Sequence, residues 1–183
     1  MCVISLITFQ NHSFAQTNDE FSFQDVLISI PENIETVDFN DLNTKSGYNN
    51  TVYAWMQFNE IPNQEQQDAV KAGGIEFIDY IDNGTYLVAF STNISRTLLS
   101  SNNVKGIIPV QKDVKIESEL RSGSINPWAI DGDNAKIIVI IYDGINTVDV
   151  IPSLESSGVT ILKDHRGHQI LEVSMPINQV NDL

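Results

Sequence analysis

Two short stretches carry residue types suited to hydrolytic chemistry. Asp143-Gly144 closes an apolar run, KIIVIIY over residues 136–142, and His165-Arg166-Gly167-His168 follows further along. An aspartate at the end of a buried strand, with a histidine in reach, supplies two groups of a Ser-His-Asp triad. The nucleophile is missing: no serine stands in a Gly-Thr-Ser-Met-Ala context, and no helical pattern follows the HRGH run. The pair therefore reads as a loop acid and a polar hairpin tip. Asp164, His165 and His168 together suggest a metal site, but tetrahedral zinc needs further ligands and no partner cluster exists in the sequence. Asp131-Gly132-Asp133 opens like a calcium loop but lacks the spaced acids and closing glutamate. Neither a Walker sequence nor Gly-x-Gly-x-x-Gly occurs, so no nucleotide site is supported. No catalytic residue, metal ligand or cofactor is assigned. Tyr53 and Trp55, alternating on one strand face, remain as a candidate partner-contact face. Packing of the same face by the helices or by the preceding segment is the competing reading.

Composition narrows the partners. The 183 residues include 10 basic and 24 acidic side chains, a net charge of −14. Nucleic acid needs a basic face to displace counterions, and an anionic membrane surface repels such a chain. A hydrophobic fraction of 42% is enough for a packed core. No apolar run reaches the roughly 20 residues of a membrane-spanning helix.

The elements that would position these residues follow from periodicity. Residues 2–8, CVISLIT, with small residues at Ser13 and Ala15, fit a signal peptide cleaved after Ala15, although the basic start is missing. The expected location is therefore secreted or periplasmic. Cleavage would remove Cys2, the single cysteine, and with it any disulfide, thiolate ligand or cysteine nucleophile. Residues 16–51 read as a polar leader with one edge strand at VLISIP, 26–31. From Val52, VYAWMQF alternates: Val52, Ala54, Met56 and Phe58 face one way, Tyr53, Trp55 and Gln57 the other. Asn63 and Gln66 form a capping box for a short helix ending at Gly73-Gly74. IEFIDYI and TYLVAF flank Asn83-Gly84, a hairpin signal. A second helix carrying Leu98 and Leu99 and the strand VKGIIPV (104–110) complete the unit. The order over residues 52–110 is βαββαβ, an α+β ferredoxin-like arrangement.

Residues 111–134 read as a linker, and the pattern then restarts. KIIVIIY is a strand, apolar on both faces and hence expected in a sheet centre. Residues 146–157 form a helix in which Pro152 is tolerable only near the start, and 159–165 with 168–174 form a hairpin across Arg166-Gly167. A gapless shift of 84 positions maps Phe58 on Tyr142, Gly74 on Gly158, Ile75 on Val159 and Leu87 on Leu171. This predicts an internal repeat, with a second ferredoxin-like unit at 135–183 that lacks its last helix and strand. The expectation is an N-terminal portion of a longer protein.

The stretch YAWMQFNEIPNQEQQDAVKAGGIEFIDYIDNGTYLVAF resembles the propeptide region of secreted bacterial subtilisin-like serine peptidases, some of which carry two such units in tandem. The resemblance spans residues 52–183. It implies a pro-region without activity of its own, a folding assistant and inhibitor whose partner is its own downstream catalytic domain, with no cofactor. Two other readings stay open: a freestanding binding or adhesion module, and a small hydrolase built on Asp143 and His168.

Overall fold

The computed structural model describes residues 20–182. The proposed signal peptide, residues 1–15 with Cys2, lies outside the described residues. The chain is a mixed α+β fold of antiparallel sheets with few helices. The segment read as a polar leader is itself structured. Strand β1 (Glu20–Phe23) pairs antiparallel with β2 (Val26–Ser29) across Gln24-Asp25, both at positive φ. Helix α1 (Phe39–Ser46) follows; the side chain of Asp38 accepts hydrogen bonds from the amides of Asn40 and Asp41 at its N-terminus.

The first sheet contains β3 (Gly47–Tyr48), β4 (Thr51–Phe58), β5 (Ile75–Asp82), β6 (Thr85–Ser91) and β7 (Val104–Pro109). Its four long strands run in the order β5-β6-β4-β7, every neighbour antiparallel, with short β3 beside the start of β4. Helix α2 (Gln64–Ala72) joins β4 to β5 and carries the predicted capping box between Asn63 and Gln66. The predicted turn at Asn83-Gly84 joins β5 to β6, both residues at positive φ. Helix α3 (Arg96–Ser101) leads into β7. Alternation along β4 sends Val52, Ala54, Met56 and Phe58 to the helical face, where Leu42, Val70 and Leu99 meet them.

The opposite face of β4 is covered too. Phe21, Ile28 and Ile30 of the leader cluster with Trp55 and Leu87. The residues read as a linker hold a single α-turn, α4 (Ser118–Arg121), and tie back to the leader: Val114 joins its cluster and Arg121 donates to the Gln24 carbonyl at 3.0 Å.

The second sheet orders β10 (Thr160–His165), β11 (Ile170–Pro176), β9 (Asn134–Ile140) and β8 (Ile130–Asp131), all antiparallel. Helix α5 (Thr147–Ser156) connects β9 to β10 and packs Val150, Ile151 and Leu154 toward Leu171 and Val173. It begins at Thr147, so Pro152 lies inside it rather than at its start, on an exposed position. The strand expected at a sheet centre is not central: β9 has β11 on one side but only two-residue β8 on the other. Its two apolar faces differ accordingly, with Ala135, Ile137 and Val139 turned to the core and Ile138 and Ile140 to solvent.

Register corrects the gapless 84-residue alignment. Phe58 donates to Gly84 in the first sheet, and Ile141 donates to Gln169 in the second. Phe58 therefore corresponds to Ile141, not Tyr142, and Gly84 to Gln169, each one residue away from the gapless match. A single-residue slip turns every side chain of a strand to the other face. With these offsets the pairings agree along most of the ladder: Ala54 with Val88 matches Ile137 with Val173, and Phe77 with Val88 matches Ile161 with Val173. They part only at the hairpin end, where the shift between Tyr80 and Asp82 has no counterpart and Ile170 pairs with His165. The irregularity between Phe77 and Asp79 recurs between Ile161 and Lys163.

Candidate functional site

Strand alternation and loop position decide where each candidate residue goes. Trp55 is 2% exposed and meets Phe21 and Phe23 edge-on, at ring-centroid distances of 5.5 and 5.1 Å. Tyr53 is also buried, stacked on Tyr142 at 4.9 Å, and its hydroxyl donates to the Asp143 carbonyl at 3.4 Å. The face carrying Tyr53 and Trp55 is thus covered by the chain itself and is not free for a partner. Trp55 holds the leader hairpin down, and Tyr53 joins the two sheets. Burial raises the Tyr53 hydroxyl pKa above its ordinary value, helped by Glu76 and Asp143, and burial beside Tyr53 does the same to Tyr142.

The hydrolytic candidates do not converge. Asp143 lies in the turn after β9, beside Gly144 at φ +86°, and its contact with Tyr53 uses the backbone carbonyl rather than the carboxylate. His168 lies exposed in the β10–β11 turn. No hydrogen bond joins the two among the described residues. Neighbouring Asp164 and His165 point to opposite faces of β10, as strand geometry demands. Asp164 accepts from the Thr147 hydroxyl at 3.1 Å on the α5 side, while His165 Nε2 lies 2.5 Å from Glu172 Oε1 on the other. The hydrogen bond from His165 holds the Glu172 carboxyl below its usual pKa. A strand thus splits the presumed ligand cluster, and no group of three metal-binding side chains occurs among the described residues. Asp131-Gly132-Asp133 is the tight turn between β8 and β9, with Gly132 at φ +61° and Asp131 paired to Lys136 at 3.3 Å.

Sequence reasoning passed over the outer face of the second sheet. Ile138 and Ile140 are 57% and 74% exposed, and Ile140 pairs across the ladder with half-buried Ile170. Glu172 and His165 border this patch, since their backbones face Ile138 and Ile170. The signal is present in KIIVIIY, whose two apolar faces fit an edge strand with an exposed apolar side as well as a central strand. Branched apolar side chains without a covering layer suit docking, not catalysis.

No curated protein and no solved structure matches the chain. A family model does match, over residues 8–111, more than half of the chain. The matched segment takes in the leader hairpin, α1 and the whole first sheet, and it stops before α4 and the second sheet. By that match the chain belongs to the family described as a domain of unknown function, DUF8729.

Proposed function

We propose that this chain is the non-catalytic pro-region of a secreted subtilisin-like serine peptidase, built from two tandem ferredoxin-like units, the second lacking its closing helix and strand. In this role it assists folding of a catalytic domain and holds that domain inactive. The observation that carries the reading is the repeated ladder: the β5-β6-β4 order recurs in β10-β11-β9, with the same registers up to the hairpin end and one irregularity in common. The first sheet also has β7 beside β4, the order a βαββαβ chain produces. The propeptide resemblance of residues 52–183 adds the partner. Because the leader and the second sheet cover Tyr53 and Trp55, the contact passes to the outer face of Ile138, Ile140 and Ile170. A preformed partner that binds the native form favours it by mass action, which suits a slow-folding catalytic domain.

The test has two stages. The gene beyond codon 183 is expected to encode Asp-Thr-Gly, His-Gly-Thr-His and Gly-Thr-Ser-Met-Ala in that order. That domain, denatured and diluted with and without this chain, should recover more activity with it, and the chain should then inhibit the folded enzyme. A stop codon at 184, or equal recovery with no measurable binding, refutes the reading and leaves the freestanding binding module.

A further inference from the structure

We propose that the open edge of β9 is a strand-addition site, which takes up an extended, apolar, non-acidic segment of a partner polypeptide. The inference rests on backbone geometry and does not depend on the peptidase reading. The amide of Ile141 donates to Gln169 at 2.8 Å, and that of Ile177 to Asp133 at 3.0 Å. These bonds fix the phase of the ladder, so odd-numbered residues of β9 exchange hydrogen bonds with β11. The N–H and C=O groups of Lys136, Ile138 and Ile140 therefore point away from β11, toward the other edge. Strand β8 reaches only Asn134 and Ala135 there, and no other strand among the described residues lies beside Lys136–Ile140.

Sheet edges are commonly protected by proline, a bulge or inward charges. Strand β9 has no proline and keeps an unbroken register, and its single lysine, Lys136, is engaged by Asp131. The first sheet treats its edge differently. Asn33 closes the outer side of β7, donating from Nδ2 to the Ile107 carbonyl at 2.9 Å and accepting from the Ile107 amide at 3.0 Å.

The same sheet indicates what fits beside β9. By the register correspondence, Trp55 matches Ile138 and Gln57 matches Ile140. Strand β7 pairs antiparallel there, with Ile108 opposite Trp55 and Gly106 opposite Gln57. The occupant of the β9 edge is therefore an antiparallel strand with a branched apolar residue opposite Ile138 and a small residue opposite Ile140. A net charge of −14 selects against acidic segments. A second copy fits poorly. Antiparallel self-pairing centred on Ile138 would set Ile141 of one copy opposite Ala135 of the other, a place Ile130 already holds. Main-chain bonds would give affinity and the isoleucines selectivity, as in other strand additions.

The test uses a synthetic peptide copying residues 103–110, NVKGIIPV, titrated into the full chain. Amide resonances of Lys136, Ile138 and Ile140 should shift and their hydrogen exchange should slow, while those of the first sheet stay unchanged. Methylating the peptide nitrogens that correspond to Gly106 and Ile108, which face the ladder, should abolish binding without touching the protein. Ile138→Pro removes one edge-facing N–H and spares the β11 ladder, and should weaken binding about tenfold, equivalent to ~1.4 kcal/mol. Absence of shifts at β9, or equal binding by the methylated peptide, overturns the proposal. So does concentration-dependent dimerisation that protects the same amides, which would assign the edge to a second copy.

Discussion

Replacing Phe21 by alanine tests whether the leader is part of the folded unit. Phe21 is 2% exposed and packs edge-on against Trp55, itself 2% exposed. Truncating a buried phenylalanine costs about 3–5 kcal/mol, lost transfer energy plus the cavity left behind. For a chain of this size each kcal/mol lowers Tm by roughly 2–4 °C, so the expected fall is roughly 6–20 °C. Fluorescence localises the effect. The chain has two tryptophans, and Trp128 is 79% exposed, so a Trp128→Phe background leaves Trp55 as sole reporter. The Trp55 indole N–H is buried and has no hydrogen-bond partner among the described residues, so its emission should be blue and protected from acrylamide. A two-stranded hairpin is marginal by itself, and loss of the Phe21 anchor should free β1–β2 locally. Emission should then shift to the red and quenching should rise before global unfolding. A Tm within about 2 °C of the parent, with unchanged emission and quenching, would refute the packing of the leader on this face.

Gly106→Ala should lower Tm, with a cost of about 1–3 kcal/mol, because a Cβ there would stand 2.2 Å from the Pro31 carbonyl oxygen; thermal denaturation measures it. The fragment 20–110 should unfold cooperatively, whereas 52–110 should melt lower or without cooperativity, since it lacks Phe21 over Trp55 and Asn33 on Ile107; calorimetry of the two compares them. Because the folded Glu172 carboxyl is held below its usual pKa, its stabilisation is present above the ordinary carboxylate range and lost as pH falls through the depressed value. The Tm difference between wild type and Glu172→Gln should therefore shrink on acidification, and a constant difference from pH ~7 to ~2 would contradict the pairing.

Local rules were readable directly from the residues. The capping box at Asn63 and Gln66, the Asn83-Gly84 turn and the alternation from Val52 to Phe58 depend on near neighbours and backbone conformation, and each occurs where the pattern placed it. The βαβ order of each half was legible for the same reason. Three matters were settled only by tertiary contact. A polar leader gave no sign that Phe21 and Ile28 would cover Trp55, because a face is buried by whatever reaches it, and the leader is distant in sequence from β4. KIIVIIY is equally compatible with a central strand and with an edge strand bearing a docking face, since periodicity reports apolar faces and not neighbours. The repeat itself was visible, but its alignment was one residue off in two strands. Sequence spacing averages over the extra residue in each loop, whereas hydrogen-bond register does not. Composition and local pattern thus determined most elements from Val52 onward. The layering of leader on sheet, and of sheet on sheet, determined which apolar residues became core and which remained a surface.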